Sequence, residues 1–185
     1  MERFAAPGRG IAPGSGGVRP GSVSYALAVD GHQGLTALIE SAWKELDGLD
    51  AGRRDLCLDV VGDVLETGRL TPDDAERAVE RLVSIALSDE GHPVRESALN
   101  AVCAASMRYE LPYGVVEPLA VGADAFEPLL LDYVLAILGA THDLAALPVV
   151  ERFLQHPHPE VRRAAAEEVK ELHWSGESAR GEAAR

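Results

Sequence analysis

Cysteine is scarce: Cys57 and Cys103 are the only two in 185 residues. Neither belongs to a Cys-x-x-Cys pair or has histidine at zinc-ligand spacing, which argues against a zinc site, and a disulfide framework is not expected in a reducing compartment. Each sits among apolar neighbours, Leu56 and Leu58 or Val102 and Ala104, and reads as a small buried apolar side chain without a reactive role. Aromatics make up 5% of the chain. Ala, Leu and Val carry the apolar content instead, which favours closely packed helices over a β-sandwich. No stretch approaches the ~18 uninterrupted apolar residues of a membrane span. No apolar segment precedes the first Gly/Pro cluster as a secretory signal requires. Lysine is nearly absent, with Lys44 and Lys170 the only two among 17 basic residues; such arginine bias is the habit of GC-rich bacterial genomes. There is no nucleophile elbow, phosphate-binding glycine loop or helix-borne metal motif. A soluble, cytoplasmic protein without catalytic residues, cofactor or metal is expected.

What is present is helix, repeated. In Leu154–Leu172 (LQHPHPEVRRAAAEEVKEL) two prolines interrupt a helix, because proline lacks the amide donor and restricts the residue before it. Pro159 suits the first turn of the next helix. Val161, Ala164, Ala165, Val169 and Leu172 then recur at helical spacing, opposite a face carrying Arg162, Arg163, Glu167, Glu168, Lys170 and Glu171. The same phrase occurs earlier: Leu87–Val102 (LSDEGHPVRESALNAV) lies over Leu154–Val169 at a constant offset of 67. That places Val94-Arg95 on Val161-Arg162, Ala98 on Ala165 and Val102 on Val169. The offset is two repeats of ~34 residues, a length used by stacked helix pairs. Glu127–Leu138 reads as a middle copy and Arg54–Leu65 as a fainter first one.

These residues resemble the HEAT-repeat family, in which a polar turn is followed by a Val-Arg pair at the second helix and then by alanine. The resemblance runs from Leu35 to His173 and is clearest in the second and fourth units. It implies an all-α fold, a right-handed α-solenoid of about four antiparallel helix pairs, with binding surfaces on the concave face of second helices. Some HEAT-like proteins act on bilin cofactors as phycobilisome lyases, but no catalytic residue of that kind can be matched here.

Three regions are expected: a Gly/Pro-rich disordered leader over 1–24, one helical repeat domain over 25–174, and a polar disordered tail over 175–185. Tyr25–Val29 reads as a short docking piece. Helices are expected over Gln33–Leu46, with Trp43 in the core, and over Ala51–Glu66, ended by Gly68 as a left-handed cap. The third begins with Thr71 as N-cap and Pro72 at its first position and runs to Leu87. Four more follow, over Pro93–Arg108, Val115–Val121, Pro128–Leu138 (capped by Gly139) and Asp143–Leu154, where Pro148 either kinks the helix or marks its start. The eighth ends near Trp174.

Charge is the one global functional clue. Thirty acids against seventeen bases give −13. Asp55, Asp59, Asp63 and Glu66 recur in steps of four and three, forming one acidic stripe on the second helix. Like charges at that spacing repel, so helix stability does not explain the stripe. It is either a solvated face or a site that attracts a basic protein. It argues against nucleic acid, whose phosphates need neutralising. Candidate partner-binding residues are Asp55, Asp59, Asp63 and Glu66, with Arg95, Asn100, Asp132 and Arg162 on later second helices. His142, His156, His158 and His173 read as turn and surface residues, not as a metal set. Three functions fit: a protein-binding adaptor for a basic partner, an antidote that neutralises a basic toxin, and a lyase-like or metal-dependent enzyme, in that order. The chain is expected as a monomer or weak end-to-end dimer.

Overall fold

The computed structural model describes residues 31–47, 51–88 and 91–183. The expected leader and the Tyr25–Val29 docking piece lie outside the described residues. Among the described residues there are eight α-helices and no strands. They are α1 (His32–Leu46), α2 (Ala51–Glu66), α3 (Pro72–Leu87), α4 (His92–Ser106), α5 (Tyr113–Val121), α6 (Pro128–Gly139), α7 (Leu147–Arg152) and α8 (Pro159–Ala183), with short 3-10 segments at Ala123–Ala125, Leu144–Ala146 and Phe153–Gln155.

Short connections fold each odd-numbered helix onto the even-numbered one after it, and the pairs stack into an α-solenoid. The second helices form one layer, with α2 on α4, α4 on α6 and α6 on α8. The first helices form the other: α3 packs on α5, and α5 on the Leu144–Ala146 segment. Leu35, Ile39, Ala42, Trp43 and Leu46, the expected stripe of α1, are all buried. The largest fully buried side chains are leucines together with Ile137. Each such side chain contributes roughly 1.5–3 kcal/mol by leaving water.

The two layers are joined laterally by different physics. Between second helices the contact is small and apolar: a Cβ added at Gly62 would stand 3.3 Å from Ala101 Cβ. Glycine here costs α2 some helix propensity but lets α4 approach closely. Between α1 and α3 the ties are polar. His32 Nε2 lies 2.9 Å from Asp74 Oδ2, and an Arg81 NH2 donates to Asp47 Oδ1 at 2.9 Å. The Arg81 guanidinium also sits 4.7 Å from the Trp43 ring centroid.

The local signals at the start of α3 hold. Thr71 Oγ1 accepts from the Asp74 amide at 3.2 Å, Pro72 opens the helix, and Gly68 has φ +64°. The Thr71 hydroxyl also donates to Asp74 Oδ2 at 2.7 Å. That bond, with Arg77 and His32 beside it, holds the Asp74 carboxyl below its ordinary value of 3.8. Asp74 therefore contributes stability at neutral pH and loses it as pH falls through that lowered value.

Three expectations are corrected, and the alternative left open at Pro148 is resolved. Gly139 does not cap α6 in a left-handed conformation; it is the buried last residue of the helix, and the positive φ (+53°) falls on His142. Glycine is placed there for lack of a Cβ, because Glu168 of α8 lies across it. Pro148 marks a start rather than a kink, as the second residue of a short α7 that follows a 3-10 turn capped by Asp143. The single helix expected over Asp143–Leu154 is thus three short pieces. The chain does not leave the helix near Trp174: α8 runs to Ala183 through most of the expected tail. Gly176 is buried against Leu144, and Ser175 Oγ lies 3.0 Å from His142 Nδ1, so the packing continues past Trp174.

Thr71→Ala removes the N-cap and should lower stability by about 1 kcal/mol in urea denaturation, with the m-value unchanged.

Candidate functional site

The acids sought in the sequence lie on the layer of second helices, but not as a freely solvated row. Asp55, Asp59 and Asp63 are partly buried along α2, and only Glu66 is fully exposed. Asp55 Oδ1 and Asp63 Oδ2 are shielded from water without a hydrogen-bond partner among the described residues. A carboxylate oxygen so placed is costly and awaits a donor.

The layer carries a second acidic group that spacing alone missed, because its members come from three helices. On α4 stand Glu96 and Asn100, on α6 Asp132 and Tyr133, on α8 Glu167, Glu168 and Glu171. Asp132 is the centre: its charge is felt by Tyr133, Cys103, Glu168 and Arg163. Burial, the Glu96 charge and a hydrogen bond with Glu96 push the Tyr133 phenol up. Glu168 was expected on the solvated face of α8. The structure half-buries it, and burial together with Glu171, Glu167 and Asp132 pushes its carboxyl up to about 7.

Arg95 and Arg162 fall elsewhere. Arg95 Nε donates to Ala86 O at 2.9 Å, and its guanidinium lies 4.7 Å from the Phe126 ring centroid. One Arg162 NH group donates to His156 O at 2.7 Å and to Pro157 O at 2.9 Å. Both arginines thus satisfy carbonyls at the turn that precedes their own helix, where helix ends leave acceptors unpaired. Val94 and Val161, the other half of each pair, are 2% and 1% exposed. The recurring Val-Arg pair is a folding device: the valine anchors the second helix and the arginine locks the turn.

The remaining reactive groups are quiet. Burial pushes the Cys103 thiol up to about 12, aided by Asp132 and Glu168, and also raises Cys57. Neither is a thiolate at neutral pH, so neither is an activated nucleophile. The His156 and His158 rings stack at 5.7 Å, and His156 Nδ1 accepts the His158 amide at 3.3 Å. The pair shapes the turn. No group of three His, Cys, Asp or Glu among the described residues is arranged to hold a metal ion. Between α1 and α3 lies a cleft of about 210 Å³ floored by Ile39, Trp43, Leu70 and Ala78. Glu40, Asp74, Arg77 and Arg81 line it as well, two charges of each sign. No helix among the described residues is long and apolar enough to cross a membrane.

Stacked helix pairs in two layers define the class as an α-solenoid. Residues 146–173 match the HEAT-repeat family, so α7 and the part of α8 up to His173 form a HEAT repeat. No curated protein is similar enough in sequence to match the chain. HEAT repeats commonly serve as protein-interaction scaffolds and are typically not enzymes.

Arg95→Ala strips the Ala86 carbonyl and the Phe126 ring of their partner. Stability should fall by about 1–2 kcal/mol in chemical denaturation, a loss larger than that of an exposed arginine such as Arg69→Ala.

Proposed function

We propose that the chain is a non-enzymatic scaffold that holds a basic protein against its layer of second helices. One observation carries this reading: each second helix bears acids on its surface, from Asp55, Asp59, Asp63 and Glu66 on α2 through Glu96 on α4 and Asp132 on α6 to Glu167 and Glu171 on α8. Four parallel sources of negative potential on one layer steer a cationic partner and disfavour an anionic one. The same charge disfavours nucleic acid, whose phosphates need neutralising. Asp55 and Asp63 are only partly buried, so the exposed parts of these carboxylates and the exposed Glu66 can accept from a partner's arginine or lysine. Asn100 is exposed between these acids and lends a neutral donor to the same surface. Arg95 and Arg162 act indirectly, by fixing the turns that set where α4 and α8 begin.

The test is capture from the source cell at low salt, with retained proteins identified by mass spectrometry. A single basic protein should be held, then released as added salt shortens the screening length from about 10 Å at 0.1 M to about 3 Å at 1 M. Its identity separates an adaptor from an antidote. The Asp55→Asn/Asp63→Asn double variant should weaken capture at least ~10-fold while its melting temperature stays level or rises, because two like charges on one helix face are gone. A variant that melts lower but binds as before would make the stripe structural and end the binding reading.

A further inference from the structure

Glu168 stands 67 positions after Ala101, the same offset that superposes the two Val-Arg pairs. The two residues also share a place in the fold, each meeting a glycine on the preceding second helix. Ala101 of α4 meets Gly62 of α2, and Glu168 of α8 meets Gly139 of α6. In the first contact a methyl group fills the space. In the second a carboxyl-bearing side chain lies across the glycine: a Cβ at Gly139 would stand 2.7 Å from Glu168 Cδ and 3.1 Å from its Cβ. A position that takes alanine in one seam takes an ionisable group in the other, and breaches of a packing rule of this kind concentrate at functional positions.

The surroundings make ionisation costly there. Gly139 is the last residue of α6, so the carboxyl faces the helix end where backbone carbonyls concentrate partial negative charge. From α6 Asp132 acts on it, from its own helix Glu167 and Glu171, and from α4 the Cys103 thiol shares its field. Of the basic groups near this end of α6 and α8, His142 is turned to Glu171 at 3.7 Å, and Arg163 to Glu160 at 3.1 Å and Glu167 at 3.3 Å. Protonation removes a repelled charge and turns the carboxyl into an O–H donor.

We propose that Glu168 is a proton switch for the α6–α8 seam: neutral, its carboxyl seats on Gly139 and closes the seam; ionised, it is driven toward solvent and the seam loosens. The carboxyl is held near 7 in the folded chain against an ordinary 4.5. Stability from this seat is therefore complete below the ordinary value, falls as pH rises between the two, and is gone above the folded value. The switch works in the chain alone and does not depend on a bound partner.

Carbon-detected NMR titration of the full chain tests it, with the Glu168 carboxyl signal identified by its loss in Glu168→Gln. The midpoint should lie near 7. The melting temperature of wild type should fall between about pH 5 and pH 8 more steeply than that of Glu168→Gln or Glu168→Ala, the alanine variant reproducing the Gly62–Ala101 seam. Gly139→Ala introduces the Cβ that evicts the carboxyl, so its midpoint should drop by about one pH unit or more. A wild-type midpoint near 4.5 overturns the proposal. So does a high midpoint that Gly139→Ala leaves in place, since the seat on Gly139 would then not be its cause. Parallel melting curves for wild type and Glu168→Gln would equally refute the coupling to the seam.

Discussion

The close approach of successive second helices is the constraint on which the rest of this structure depends. A repeat stack has no central core to organise it; each pair must bury its face against the next. At two of the three seams a glycine faces a small or foldable side chain, Gly62 with Ala101 and Gly139 with Glu168. Once the second helices are close, their outward residues become neighbours across helix boundaries. Glu96, Asp132, Tyr133, Cys103 and Glu168 influence one another only because α4, α6 and α8 lie side by side. The first layer is held more loosely, with ion pairs and the Arg81–Trp43 contact joining α1 to α3. Exposed pairs of this kind contribute a fraction of a kcal/mol each.

Much of this was legible in the chain because the signals are local. Thr71-Pro72 and the glycine at 68 fix a helix boundary through backbone chemistry that no distant residue overrides. The Val-Arg pairs at 94–95 and 161–162 announced the repeat, and the stripe at 55, 59, 63 and 66 follows from helical spacing alone. What could not be read depends on other helices. Gly139 looked like a cap because glycine after a helix usually is one; only α8 packing over it reveals the steric reason. Glu168 looked solvated because its neighbours Glu167 and Glu171 are. The end of α8 is not legible because residues 175–183 are mostly small or polar, yet Gly176 meets Leu144 and the helix continues to Ala183. Arg95 and Arg162 look like partner contacts in sequence, because a charged residue's own backbone partner leaves no mark there.

The functional reading follows from the same geometry. Acids placed singly on four helices are ordinary surface; the stack turns them into one acidic layer. Two carboxylate oxygens shielded without a donor, and one carboxyl seated where alanine would pack, are departures from what stability alone selects. The Cys103 thiol is held protonated and the His156–His158 pair shapes a turn, so the proposed reading rests on the acids of the second helices.

Native-state hydrogen exchange tests most directly whether the second helices are the spine of the molecule. If they are, amides of α4 and α6 exchange slowest, only through global unfolding, while those of α1 and α7 exchange through smaller local openings. Slowest exchange in α3 and α5 instead, with α4 and α6 opening locally, would contradict the account, because the layer said to carry the structure would then be the one that yields first.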